Sequence, residues 1–374
     1  MKNSGLGTWR ALTRRVAAAA SLRSKAINRR ATIGTFFTLI LSFHLALWSP
    51  ATLAGETSAD ETLRQQIFKV EIAKPACKQV KISTRGQSDL APKLDAFISD
   101  LMRAIRTKDA MVMQPLFHPR LSTGLFAVKE ILAKIDSNLG GPLDVSVYRL
   151  WAINTVDGTP KGQLCDSDEA TVYPHYGYSL QFGIWLQIMG QKEIGRAFAT
   201  IVPVGDKWYL GSFYSQQWTH ANKDPVAWIE QANKDLEKGH KVAAYLEYDL
   251  AAKLLEVGKN LSLELTNQVN AARDQIMSKT EFVNFMAKTM SGESVVYAAS
   301  MLVTDGAGIM VRLRVPGEVA LTDMKQRCRK LADQLAKQSW SNGLSGLRCA
   351  FILPPEKPEF DGALGSLYLP FKGE

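Results

Sequence analysis

The pattern of apolar residues changes at Leu143, and this change constrains the fold more than any other feature of the sequence. Over 90–105 the apolar residues recur every three or four positions, which is typical of one helix face. A short second helix is predicted to end at Phe117, and a third covers 126–139. Beyond Leu143 apolar and polar residues alternate, which predicts antiparallel strands at 144–154, 179–189, 193–203 and 207–214. The sequence therefore predicts an α+β fold in which three helices precede a long-stranded sheet.

Tight turns between these strands favour a single curved sheet. Gly190 and Gly205 stand at the two last junctions, where a hairpin turn requires positive φ. Long antiparallel strands twist, and the preceding helices are available to cover the concave face. We therefore expect a cone with an apolar interior.

Several motifs in this region, together with the order of the elements, carry a family resemblance. They are the helix face from Phe97-Ile98 to Ile105, the break Thr107-Lys108-Asp109-Ala110, the segment Leu116-Phe117-His118-Pro119-Arg120-Leu121 and the hairpin Val204-Gly205-Asp206-Lys207-Trp208-Tyr209-Leu210. Over about 89–218 the chain resembles the nuclear-transport-factor-two-like superfamily, including its polyketide-cyclase-like bacterial members. The resemblance implies the cone. It does not select a function, because the superfamily hosts isomerases, dehydratases, epoxide hydrolases, ligand carriers and association modules.

The remainder of the chain returns to helices and then to strands. Helical periodicity over 224–290 predicts a connector that begins with one helical hairpin. The pattern over 295–374 predicts two strands, a helix and two further strands. The expected organisation is a signal peptide at 1–54, an N-terminal extension at 55–88, the cone domain at 89–222, the helical connector at 223–290 and a small C-terminal α+β domain at 291–374.

The basic charge belongs to the first 54 residues. They contain eight of the 45 Lys+Arg and no acidic residue, so the rest of the chain carries 37 Lys+Arg against 36 Asp+Glu. An apolar run at 33–48 is too short to span a bilayer and is typical of a signal peptide, with cleavage expected after Ala54. We therefore expect a periplasmic or secreted protein without nucleic-acid partners. The alternative is an uncleaved inner-membrane anchor at this segment, with the bulk outside the cytoplasm.

All four cysteines follow the expected cleavage site, in a compartment where disulfides persist. Proximity favours a Cys328–Cys349 pair, because a helix at 319–339 returns into a strand at 347–353. This leaves Cys77 to pair with Cys165. The alternative is four buried free thiols. The spacings match neither a metal site nor a redox site, so we predict no zinc and no thiol chemistry.

Two histidines are candidate catalytic residues. His175 lies in a loop rich in tyrosine, where it could act as a base beside Tyr176 or Tyr178. His118 follows a helix that the resemblance places beside the cone. The alternative for His175 is an exposed packing loop, and the alternative for His118 is a structural role. The histidines lack metal-ligand spacing, so we predict no metal and no cofactor.

Aromatic residues provide candidate ligand contacts. Trp151, Trp185 and Trp208 lie on three predicted strands and could converge inside the cone with Tyr176 and Tyr178. Core packing is the alternative. No P-loop, GxGxxG, GxSxG or HExxH motif occurs.

Two classes of function remain. We favour a non-catalytic binding protein of the bacterial cell envelope that takes a partner protein or a small hydrophobic ligand through its cone. The alternative is an isomerase or dehydratase that uses a His or Asp base inside the cone. Homo-oligomer formation stays open.

Overall fold

A computed structural model describes residues 76–80, 92–155, 162–165, 170–303, 306–353 and 363–371. These described residues form an α+β fold that contains three sheets. In chain order the elements are β1 (Ala76–Gln79), α1 (Pro92–Thr107), α2 (Ala110–Met113), α3 (Leu125–Leu139), β2 (Asp144–Asn154), β3 (Gln163–Cys165), β4 (Ala170–Val172), β5 (Leu180–Met189), β6 (Ile194–Val204), β7 (Lys207–Gln217), α4 (Pro225–Glu237), α5 (Lys241–Leu254), β8 (Leu261–Leu263), α6 (Glu264–Ile276), α7 (Lys279–Thr289), β9 (Ser294–Val303), β10 (Gly306–Arg314), α8 (Leu321–Ala336), β11 (Leu344–Ile352) and β12 (Ala363–Pro370).

The predicted leader at 1–54 lies outside the described residues, as does most of the predicted extension. The described part of this extension contains the short strand β1. Within the described ranges, no helix is both long and apolar enough to cross a membrane.

The largest sheet has the order β1-β2-β5-β6-β7 and is antiparallel throughout. The helices α1, α2 and α3 cover its first face, where they form one apolar core with alternate residues of the strands. The predicted break between the first two helices is present. The side chain of Asp109 caps α2 by accepting hydrogen bonds from the backbone N–H groups of Met111 and Val112.

The second face of the same sheet is also covered. Trp151, Trp185 and Phe198 project from it and share a second core with residues of α4 and α5. Strand β5 is therefore buried almost continuously, although its sequence suggests alternation. The helical connector thus packs directly on the sheet.

A small three-stranded sheet strengthens this connection. Its order is β3-β4-β8, so a segment inserted between β2 and β5 pairs with a strand of the connector. The Cys77–Cys165 disulfide ties this small sheet to β1 of the large one. The insertion, the large sheet and the connector are therefore linked.

The C-terminal segment has the predicted order of two strands, a helix and two strands. Its sheet has the order β12-β11-β10-β9, and the parallel pair β10 and β11 is joined through α8. The Cys328–Cys349 disulfide links α8 to β11. Both predicted pairings are confirmed, and two disulfides indicate an oxidising, extracytoplasmic environment.

A buried ion pair joins the connector to this sheet. The Asp249 carboxylate on α5 lies 2.9 Å from Arg273 Nη1 on α6. Its other oxygen lies 2.9 Å from Lys253 Nζ and accepts hydrogen bonds from the backbone N–H and the hydroxyl of Ser300 on β9. One carboxylate therefore holds three elements together.

Candidate functional site

The two candidate histidines lie near each other at one end of the large sheet. His175 stands in the loop between β4 and β5, and its Nε2 is 2.6 Å from the hydroxyl oxygen of Thr200 on β6. That hydroxyl is 2.8 Å from the hydroxyl of Ser212 on β7. Gly211 makes room for the imidazole, since a Cβ there would lie 2.8 Å from His175 Cδ2. Burial lowers the pKa of His175, and nearby His118 lowers it further.

The backbone of this loop is fixed by a buried amide. Gln181 is 0% exposed. Its Oε1 accepts a hydrogen bond from the backbone N–H of His175 at 2.7 Å, and its Nε2 donates to the carbonyl oxygens of His175 at 2.6 Å and Tyr178 at 3.0 Å. Gly177, with a φ of 88°, makes the turn between these contacts. The loop at 173–178 is therefore held in one conformation.

His118, the second candidate histidine, makes contacts through both of its ring nitrogens. Its Nδ1 accepts a hydrogen bond from the backbone N–H of Arg120 at 3.1 Å, which caps a short 3₁₀ turn. Since Nδ1 accepts, the proton of the neutral ring lies on Nε2, which is 2.9 Å from Tyr178 Oη. These two contacts are those of a structural histidine, one of the two roles considered for His118.

The structure brings some of the predicted site residues together and separates others. His118, His175 and Tyr178 belong to one network, and Tyr176 is exposed beside it. The convergence expected for the three tryptophans is wrong. Trp151 and Trp185 stack in the second core, whereas Trp208 lies in the first core against Phe182. Alternate strand positions point to opposite faces, which separates them.

Apolar side chains pack together between the first face and its helices. The rings of Phe182 and Trp208 meet edge to face there, with centroids 5.5 Å apart. A cavity beside α3 and β7, lined in part by Ile135, Leu139 and Ile188, has a volume of only about 10 Å³. A cavity of this size is about the smallest that admits one water molecule.

The hydrogen bonds around His118 and His175 hold the loop at 173–178 in place. They also occupy most of the ring nitrogens that could act in acid–base chemistry. His175 Nε2 and both His118 nitrogens are hydrogen-bonded, and Thr200 is fully buried. Within the described residues no group of three or more His, Cys, Asp or Glu side chains could hold a metal ion.

Sequence reasoning missed Gln181, Thr200 and Ser212. The only available signal was Gln181 itself, a polar residue at the start of a strongly apolar strand. A buried polar residue requires partners, but the sequence does not indicate which ones.

Comparisons with known proteins give little guidance. No protein-family model matches the chain, and no curated protein matches it. One solved structure, Bd1075 of Bdellovibrio bacteriovorus, is similar over 34% of this chain and 40% of its own length, with 9% identity and a TM-score of 0.22. A likeness of this size supports no inference about fold or function.

Proposed function

We propose that this protein is a non-catalytic binding protein of the bacterial cell envelope, and that the loop at 173–178 belongs to the surface that contacts a partner protein. One observation carries the proposal. The buried polar groups around His175 and Tyr178 fix the loop, while Tyr173 and Tyr176 remain 41% and 53% exposed.

Exposed tyrosines on a rigid loop suit protein recognition. A tyrosine offers a large contact area together with a hydroxyl group, and it is enriched among the residues that contribute most to binding. A loop already fixed in the free protein loses little conformational entropy on binding. The start of this loop is also anchored to the connector, because Asn260 Nδ2 donates to the carbonyl of Tyr173 at 2.8 Å.

A partner protein suits these observations better than a small hydrophobic ligand. A ligand inside the expected cone would have to displace Phe182, Trp208 and their neighbours, which are packed together. Displacing a packed core is costly, whereas a surface loop is accessible without rearrangement. The resemblance to the nuclear-transport-factor-two-like superfamily is compatible with this role, because the superfamily includes association modules.

The isomerase or dehydratase alternative uses a His or Asp as its base, and His175 is one candidate for that base. The lowered pKa keeps this ring neutral near pH 7, as a general base requires. Its Nε2, however, already contacts Thr200. If a catalytic activity is found, His175→Ala must abolish it, and retained activity would exclude this base.

Site-specific photo-crosslinking in cells tests the binding proposal. Benzoylphenylalanine replaces Tyr176, and the matched control carries it at Tyr297, an exposed tyrosine of the C-terminal sheet. We expect a discrete adduct with one other protein from position 176 and none from position 297. The partner is then purified, and Tyr176→Ala should weaken its binding about 30-fold, as loss of a dominant contact does.

Two outcomes would contradict the proposal. An adduct that contains only a second copy of this chain would assign the loop to homo-oligomer formation. Equal adducts from positions 176 and 297 would show that the loop has no special role.

A further inference from the structure

Arg196 lies in a cluster of three aromatic rings on the second face of the large sheet. Its Cζ is 3.8 Å from the ring centroid of Tyr148, 4.1 Å from that of Trp218 and 4.7 Å from that of Trp185. Cation–π attraction at these distances holds the guanidinium in place. We name these four residues the Arg196 cluster.

The cluster holds a cation that has no paired carboxylate. In the described ranges no acidic side chain forms an ion pair with Arg196. Asp224 is near enough to raise the pKa of Arg196, but burial, which is the largest effect, lowers it. Asp224 Oδ1 already accepts the backbone N–H of Ala227 at 2.8 Å. Arg149 adds a like charge, with its Cζ 5.4 Å from the Tyr148 ring centroid.

Two buried donors in the cluster have no acceptor. They are the Nε–H group of Arg196 and the Nε1–H group of Trp185. A buried donor without a partner is unfavourable, because it has lost its hydrogen bonds to water and gained none in the protein. Both donors, together with the positive charge, would be satisfied by an oxygen atom that carries negative charge.

The surroundings are suited to a ligand that approaches from solvent. Tyr148, at the edge of the cluster, is an exposed aromatic residue. Gln187 pairs with Arg196 across the β5–β6 ladder, so its side chain lies on the same face of the sheet. Its amide offers a further neutral donor.

We propose that the Arg196 cluster binds a small oxyanion, a carboxylate or phosphate group carried by a ligand. The guanidinium supplies charge and paired N–H donors, the indole of Trp185 supplies one more donor, and Tyr148 forms the rim. This site is independent of the loop at 173–178, and neither proposal depends on the other.

NMR of the purified, disulfide-bonded protein tests the site. The probes are sodium acetate and sodium phosphate, with sodium chloride at equal ionic strength as the reference. The signals followed are the Arg196 Nε–H, assigned from its loss in Arg196→Lys, and the Trp185 Nε1–H, assigned from its loss in Trp185→Phe. We expect saturable shifts of both signals with one or both oxyanions. Acetate alone identifies a carboxylate site, and phosphate alone identifies a phosphate site.

Variants separate the site from general charge effects. Arg196→Lys keeps the charge but loses the planar fork, and should weaken binding about tenfold. Trp185→Phe keeps an aromatic ring but removes the donor, and should weaken binding severalfold. Arg312→Lys is the matched control, since Arg312 lies over the ring of Tyr297 in the C-terminal sheet, and it should bind as the wild type does. Shifts that chloride reproduces, or the absence of any saturable shift, would overturn the proposal.

Discussion

The side-chain amide of Gln181 and the backbone of His175 form a reciprocal pair of hydrogen bonds, at 2.7 Å and 2.6 Å. The pair fixes the loop that carries Tyr176, and it positions the His175 ring over Gly211. A strand residue with no contact to solvent therefore determines the conformation of an exposed loop.

Gln181→Ala should destabilise the protein by about 2 to 4 kcal/mol, because it removes the acceptor of the His175 N–H and the donor to the His175 carbonyl, whereas the Tyr178 carbonyl keeps its hydrogen bond from the Thr155 hydroxyl. The free energy of unfolding is measured by urea denaturation. Gln187→Ala on the same strand is the control, and it should cost less than about 1 kcal/mol because no hydrogen bond of its side chain is lost. Equal effects of the two variants would contradict this account.

The stability of the fold should fall in mild acid through His175. Its pKa is lowered in the folded state from the ordinary value of 6.5, so the unfolded chain binds the proton more readily. Stability is therefore complete above about pH 6.5 and is lost as the pH falls through the lowered folded-state pKa. Urea midpoints at pH 7.5 and 5.5 should differ less for His175→Gln than for the wild type. If the two midpoints of His175→Gln differ as much as those of the wild type, His175 is not responsible for the loss of stability in acid.

Glu247 should make the fold less stable as the pH rises, whereas His175 makes it less stable as the pH falls. Burial raises its pKa to about 8, and nearby Asp235 contributes to the rise. The folded state then retains a proton that the unfolded chain has released, so stability falls as the pH rises from about 4.5 to 8. At pH 8.5 Glu247→Gln should stabilise the protein by about 1 to 2 kcal/mol, a value reduced for partial solvent screening.

This prediction is checked by thermal or urea unfolding at pH 8.5 and pH 5. The gain from Glu247→Gln should be much smaller at pH 5, where the wild-type carboxyl group is already protonated in the folded protein. A gain of the same size at both values would show that packing, and not protonation, is responsible.

Asp249 and Asp274 bind the same arginine but should differ strongly in their contribution to the free energy of unfolding. Both carboxylates lie 2.9 Å from Arg273, but the side chain of Asp249 is 8% exposed and that of Asp274 is 55% exposed. Asp249→Asn should cost about 3 to 5 kcal/mol, because it leaves the buried Arg273 guanidinium with only the exposed Asp274 carboxylate as an ionic partner. Asp274→Asn should cost less than about 1 kcal/mol. Urea denaturation measures both, and similar losses would be unexpected.

Each disulfide should stabilise the protein by an amount that increases with the length of chain it encloses. The Cys77–Cys165 separation is 88 residues and the Cys328–Cys349 separation is 21. Chain entropy gives a loss of about 4.6 kcal/mol for the first pair and about 3.3 kcal/mol for the second. Each pair is replaced by alanines and the variants are compared by urea denaturation. A larger loss from the second pair would contradict the entropic order.

The sequence predicted the helices and most long strands because local periodicity records which face of an element is buried. It placed the break at 107–109 and the helix at 126–139, where the structure has α3 from Leu125. It did not predict the face to which each tryptophan points, because convergence of Trp208 with Trp185 depends on the register between strands and on what covers each side.

What the sequence by itself determined is the α+β class, the order of elements and, through the nearness of Cys328 to Cys349, the disulfide pairing. The tertiary structure alone decided that both faces of the large sheet are covered, that Gln181 and Thr200 meet His175, and that Arg196 lies among Tyr148, Trp185 and Trp218. These contacts join residues that lie apart along the chain. Such contacts arise only when strands pair and layers pack, so local patterns do not encode them.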